Sequence, residues 1–238
     1  MAQRIDGVDP FQNINLEIAR GRVSDATAID KFGLNASVGS SFEPITDLGV
    51  QNYLSSAQTV TIASQAGTPA DDNGVEVVIS GLDENYVEQS VTLTLAGSGT
   101  ATSTETFLRV FRAYVSNGQA PTDDLLIEAA DGTDLAQITY PYNQTNMAVY
   151  TIPAGKTGYL TSGNLSSLKD KDITAKLLFR PEGGVFNTKG VLLTPGTPYQ
   201  RTWSVPPAVA EKTDIEIQAK AGATGAVAAG FELILVDN

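Results

Sequence analysis

VEVVISGLDENYVEQSVTLTL, from Val75 to Leu95, decides the fold class. Val75, Val77 and Ile79 alternate with Glu76, Val78 and Ser80, and Val91, Leu93 and Leu95 alternate with Ser90, Thr92 and Thr94. A period of two puts successive side chains on opposite faces of a strand. Between the two runs, Gly81-Leu82-Asp83-Glu84-Asn85 is rich in turn formers, so the stretch predicts a hairpin with one wet face.

The same pattern continues on both sides. Phe107–Val115 is apolar on both faces apart from Arg109 and Arg112, which predicts a central strand. Asn117-Gly118 ends it, a dipeptide that tolerates the positive φ of a tight turn. Leu125–Ala129 and Leu135–Tyr140 follow on either side of Asp131-Gly132. After Pro141-Tyr142-Asn143-Gln144, strands are expected at Met147–Ile152, Thr157–Thr161, Ile173–Arg180, Val185–Leu193, Tyr199–Val205, Asp214–Lys220 and Gly230–Val236. In the last two, Ile215, Ile217 and Ala219 should point inward, and FELILV should be buried on both faces. Strands broken by turns at roughly 8–12-residue intervals fit a β-sandwich or jelly roll. No ten-residue segment keeps a helical period, and Pro206-Pro207 blocks the nearest candidate.

The opening of the chain differs. Ile14, Leu16 and Ile18 alternate with Asn15, Glu17 and Ala19, a short strand signature, but little periodic apolar content follows through Asp30–Asn35. Such a segment must lie on something else, either the rest of the chain or a neighbour. The expected organisation is therefore all-β: an N-terminal arm over 1–47, an acidic β-rich lobe over 48–140 and a sandwich or jelly-roll lobe over 141–238. Ile14, Leu16, Ile18 and Phe32 are the residues expected to make the arm's assembly contacts.

Composition narrows the function. The 238 residues include no histidine and no cysteine, which removes the commonest general base, the commonest metal ligand and the strongest soft nucleophile. The net charge is −12, and residues 1–140 carry 19 acidic against six basic side chains. Such a surface repels phosphate backbones, so no nucleic-acid partner is expected. No membrane partner is expected either: the longest apolar stretch, Phe231–Val236, is short and interrupted by Glu232. Met1 to Gln12 lacks the apolar region of a signal peptide, so a soluble protein made in a cytosol is expected.

Local motifs add little chemistry. Ser166-Ser167-Leu168-Lys169 spells S-x-x-K and Lys156-Thr157-Gly158 spells K-T-G, but their order is reversed and the helical context of a serine acyl-enzyme is missing. Acid pairs such as Asp71-Asp72, Asp83-Glu84 and Asp123-Asp124 fall in turns, and one Trp gives poor support for a sugar cleft. Calcium is the one metal the side chains suit, at Asp71-Asp72-Asn73-Gly74 or Asp131-Gly132-Thr133-Asp134, although neither loop has EF-hand spacing. Tyr199, Trp203 and Phe186, on neighbouring strands, read as core or intersubunit packing. The chain is thus expected to be no enzyme, with no catalytic residue and no required cofactor or metal.

Four stretches resemble the virion structural proteins of tailed phages, particularly marine and cyanobacterial ones. They are INLEIARGRVSDATAIDKFGLN (Ile14–Asn35), ISGLDENYVEQSVTLTL (Ile79–Leu95), FLRVFRAYV (Phe107–Val115) and the ending TDIEIQAKA to FELILVDN (Thr213–Asn238). The resemblance spans nearly the whole chain and brings no functional residue set with it. It implies a particle component, expected on the outer capsid surface as a decoration or cement protein, with itself, as a homotrimer, and the major capsid protein as partners. A tail, baseplate or fibre-attachment protein is the alternative within virions. A carbohydrate-binding module is the alternative outside them.

Overall fold

The computed structural model describes residues 14–168 and 172–238. As expected the protein is nearly all β, with helix among the described residues limited to α1 (Ile14–Ala19) and one 3-10 turn, Pro69–Asp72. Two sandwiches, each with its own apolar core, make up the two lobes.

The larger lobe is built from β1 (Ala26–Val38), β2 (Glu43–Pro44), β10 (Val149–Thr151), β11 (Lys156–Ser167), β12 (Ile173–Arg180), β13 (Asn187–Thr194), β14 (Tyr199–Thr202), β15 (Ala208–Val209), β16 (Asp214–Ala221) and β17 (Gly225–Asp237). One sheet runs β1-β17-β11-β14, with β15 added to β11; the other runs β10-β16-β12-β13, with β2 added to β16. The short β2 and β10 are two pieces of one strand. Along β16, Ala219 and Gln218 pair with Glu43 and Pro44, and Glu216, Ile215 and Asp214 pair with Val149, Tyr150 and Thr151. Ile217 bridges the two pieces, accepting from Ile45 N–H and donating to the Ala148 carbonyl. With β2 and β10 counted as one and β15 set aside, eight strands remain, ordered 1-8-3-6 and 2-7-4-5. That is a jelly roll, two sheets face to face with Greek-key connections.

The other lobe is inserted into the interrupted strand. It contains β3 (Gln58–Ser64), β4 (Glu76–Leu82), β5 (Glu88–Thr94), β6 (Thr100–Phe107), β7 (Arg109–Val115), β8 (Leu125–Ala129) and β9 (Asp134–Ile138). A sheet β6-β3-β8-β9 packs on a sheet β5-β4-β7 around Val60, Ile62, Val77, Ile79, Phe107 and Ile127, all fully buried. The Val75–Leu95 hairpin is there: β4 and β5 pair from Glu76↔Thr94 to Leu82↔Glu88.

Several sequence expectations change. The 1–47 arm does not hold over its described part, because β1 pairs with β17 from Ala26↔Val236 to Val38↔Gly225 and β2 joins the other sheet. The jelly roll therefore draws strands from both ends of the chain rather than from 141–238 alone. The part of the expected arm that spans residues 1–13 lies outside the described residues. The expected strand at Ile14–Ala19 is helix α1; Ile14 and Ile18, spaced by four, also share a helix face. Phe107–Val115 is not one strand: the chain changes sheets at Leu108, so β6 and β7 lie in opposite layers of the inserted lobe.

Candidate functional site

Two features combine local chemistry with an architectural position: the junction between the lobes and an open groove in the jelly roll.

At the junction the two passages of chain through the interrupted strand lie side by side. Ala148 N–H donates to the Ile45 carbonyl at 2.9 Å. Asn146 donates its backbone N–H to Asp47 Oδ2 at 2.7 Å and its side-chain amide to both carboxylate oxygens. Burial nevertheless raises the Asp47 carboxyl to about 6, outweighing these bonds. Gly33 of β1 passes directly beneath, and a methyl group there would lie 2.1 Å from the Ile45 carbonyl oxygen and 2.4 Å from the Ala148 nitrogen.

Beside this neck, β16 is buried on both faces at Asp214–Ile217, because the inserted lobe covers its outer face. Arg109 of the inserted lobe meets Asp214 through Nε–Oδ1 at 2.9 Å and Nη2–Oδ2 at 3.3 Å. Its Nη1 donates to the Leu54 and Leu108 carbonyls. Arg180 of β12 binds the same carboxylate at 2.5 Å and 2.9 Å, and the Thr151 hydroxyl adds a bond of 2.6 Å. The Tyr53 ring lies under both guanidinium groups, 5.1 Å from Arg109 and 4.1 Å from Arg180, and its hydroxyl donates to Glu216 at 2.7 Å. Burial pushes the Glu216 carboxyl up from its ordinary range, while Tyr53 and Gln218 favour its ionised form. Lys31 completes the junction, donating from β1 to the Phe111 carbonyl on β7. Burial, reinforced by Arg112, lowers Lys31 to about 7. This network is a fastening. Its carboxylates are consumed by arginines and hydroxyls, and nothing in it is arranged as a nucleophile with a base.

Sequence reasoning missed this cluster. The signal was Arg109 in an apolar run, and Glu216 in a strand whose polar face was expected to be wet.

The groove lies at the opposite side of the jelly roll from β1. There β13 and β14 are the outermost strands of their sheets. The sheets part between them and leave a cleft of about 360 Å³. Leu177 and Leu192 line it from one sheet and Tyr199 and Trp203 from the other. The Trp203 indole packs over Gly163, where a methyl group would lie 3.5 Å from the ring. Lys189 and Arg201 also line the groove, and no acidic residue does; Lys176 borders it, but its ammonium sits 3.6 Å over the Phe42 ring, which is not part of the cleft. Tyr199 and Trp203 thus face an open cleft, while Phe186 sits apart from them, 5.5 Å from Tyr53.

The expected assembly residues do not form one patch by burial. Ile18 is buried, Ile14 and Leu16 are exposed, and Phe32 is 46% exposed. On β1, Lys31 is buried and Phe32 points out, because the Lys31 side of this stretch meets the neck.

The motif residues have structural partners. Lys156 pairs with Asp237 at 2.6 Å and Thr157 bonds Asn238 at 2.6 Å; Lys169 of the S-x-x-K lies outside the described residues. Of the two candidate calcium loops, Asp72 is fully buried and accepts from Ser64 and from both the N–H and hydroxyl of Thr122. Asp131 accepts from Gln58 and Thr133. Among the described residues no three acidic side chains converge as a metal site.

No family model matches the chain, and no curated protein matches it. Among solved structures it is similar to particles of infectious bursal disease virus. The Gx strain structure aligns over 90% of this chain and 73% of that chain, at 11% identity and a TM-score of 0.25. The T13 viral particle gives 89% and 69%, at 9% identity and 0.23. The VP2 subviral particle gives 90% and 73%, at 10% identity and 0.21. At such values the likeness carries no weight, and the jelly-roll assignment rests on strand order alone.

Proposed function

We propose that the protein is a virion structural protein that decorates and stabilises the outer surface of a phage capsid, acting without catalysis. The observation that carries this reading is the partition of charge between the lobes. Residues 54–147 hold twelve acidic and two basic side chains, net −10, so almost the whole charge of the molecule sits on the inserted lobe. The jelly roll, assembled from both ends of the chain, is close to neutral. A lobe at −10 is repelled by packaged DNA and by other polyanions, whereas a near-neutral β body can dock on a protein lattice. The jelly roll recurs in capsid proteins and in lectins alike, so the fold is compatible with the role without fixing it. The sequence resemblance to tailed-phage virion proteins favours the particle.

On this reading the partners are the major capsid protein and further copies of the chain, three around a local threefold axis. Docking depends mainly on apolar and backbone contacts. Purified protein mixed with capsids that lack it should therefore co-sediment at hundreds of copies per particle. Raising salt from about 0.1 M to about 1 M, which shortens the Debye length from about 10 Å to about 3 Å, should weaken binding only modestly. Saturation at six or twelve copies, and only on particles carrying a tail vertex, would replace decoration with a tail or baseplate role.

A further inference from the structure

We infer that the groove between β13 and β14 receives residues 5–11 of a second copy of this chain, so that copies are joined by exchanged N-terminal segments. The groove asks for an extended segment that is apolar and acidic. Its walls are Leu177, Leu192, Tyr199 and Trp203, and its charged side chains are Lys189 and Arg201. Its two flanking strands are each paired on one side only, so their outer edges can take another extended chain.

The segment Ile5-Asp6-Gly7-Val8-Asp9-Pro10-Phe11 has that composition. Ile5, Val8 and Phe11 are apolar, Asp6 and Asp9 are the counter-charges, and Pro10 is tolerated on an edge position. Only Gln12 and Asn13 separate Phe11 from Ile14, a reach of at most about 10–11 Å, so the receiving groove must lie close beside α1. Two features favour a second copy over the segment's own body. Within one sheet, β1 and β14 lie at opposite edges, so a chain leaving α1 beside β1 starts on the far side from the groove. Val191 and Leu193 of β13 and Val185 and Val205 nearby are exposed, Leu193 at 74% and Val205 at 83%. A seven-residue segment alone would leave them bare, whereas the body that follows it can cover them. The inference is independent of the capsid reading, since its readout is self-association in solution rather than particle binding.

Charge exchange tests it on the full chain. The arm variant is Asp6→Lys with Asp9→Lys, and the groove variant is Lys189→Glu with Arg201→Glu. Sedimentation velocity should show the wild type as an oligomer and should show the dissociation constant raised at least tenfold in each variant. An equimolar mixture of the two variants should recover hetero-association, because each swapped segment then meets a swapped groove. The arm variant alters no described side chain, so it reads assembly even if the groove variant melts early. A wild type that is monomeric at every concentration, or an arm variant that associates as the wild type does, overturns the inference. So does a four-substitution chain that stays monomeric while protecting its own N-terminal segment from proteolysis, which would mean docking within one copy.

Discussion

At the residue scale, Arg109 does most to join the lobes. It is buried, holds Asp214 with two bonds and satisfies two backbone carbonyls. Removing it leaves Asp214 held by Arg180 and Thr151 but strips the Leu54 and Leu108 carbonyls of their donor, at about 1–3 kcal/mol for each buried group left unpaired. Arg109→Ala should lower unfolding stability by that order in a denaturant titration, and Arg109→Lys should not restore it, because an ammonium cannot reproduce the fork. Arg180→Ala should cost less, since that side chain is partly exposed and serves no buried backbone carbonyl as Arg109 does. Lys31 gives a pH signature. Its folded pKa of about 7 lies below the ordinary lysine value, so from about pH 7 upward the unfolded chain holds a proton that the folded one has released. Unfolding then takes up a proton, and stability should rise with pH between about 7 and 9.5, by at most about 1.4 kcal/mol per unit. The Lys31→Met variant should lose this slope. An unchanged slope would assign the effect to other groups.

At the scale of elements, the alternation of Val75–Leu95 was legible because its partners are adjacent in sequence and one face is wet. The pairing of β1 with β17 was not, since the two strands lie at opposite ends of the chain and only a folded core brings them together. The alternating residues of Ile14–Ala19 misled because six residues satisfy both periods. The groove was half legible: Tyr199 and Trp203 stood out as aromatics on one expected stretch, but no local pattern reveals that two edges part. The neck was hidden because a glycine in a strand reads as a weakness until its close neighbours are known. Gly33→Ala would drive a methyl group into the Ile45 carbonyl, so it should abolish cooperative folding or lower the melting temperature by at least about 10 °C, as a loss of a few kcal/mol does in a domain this size. Gly67→Ala, with open space around it, should leave melting unchanged; equal melting of both variants would contradict the neck's close packing.

At the scale of the whole molecule, a near-neutral jelly roll carries a strongly acidic lobe on a fastened two-strand neck. The fastening matters if the acidic lobe must keep one orientation relative to the docking body, and the junction network supplies that rigidity. The most direct measurement is a cryo-electron microscopy reconstruction of the intact particle with this chain placed in it. The account predicts many symmetry-related copies on the outer capsid surface, jelly roll against the lattice and the residue 54–147 lobe pointing to solvent. Density for the chain only at the portal vertex, tail tube or baseplate, or inside the shell with the acidic lobe against DNA, would contradict it.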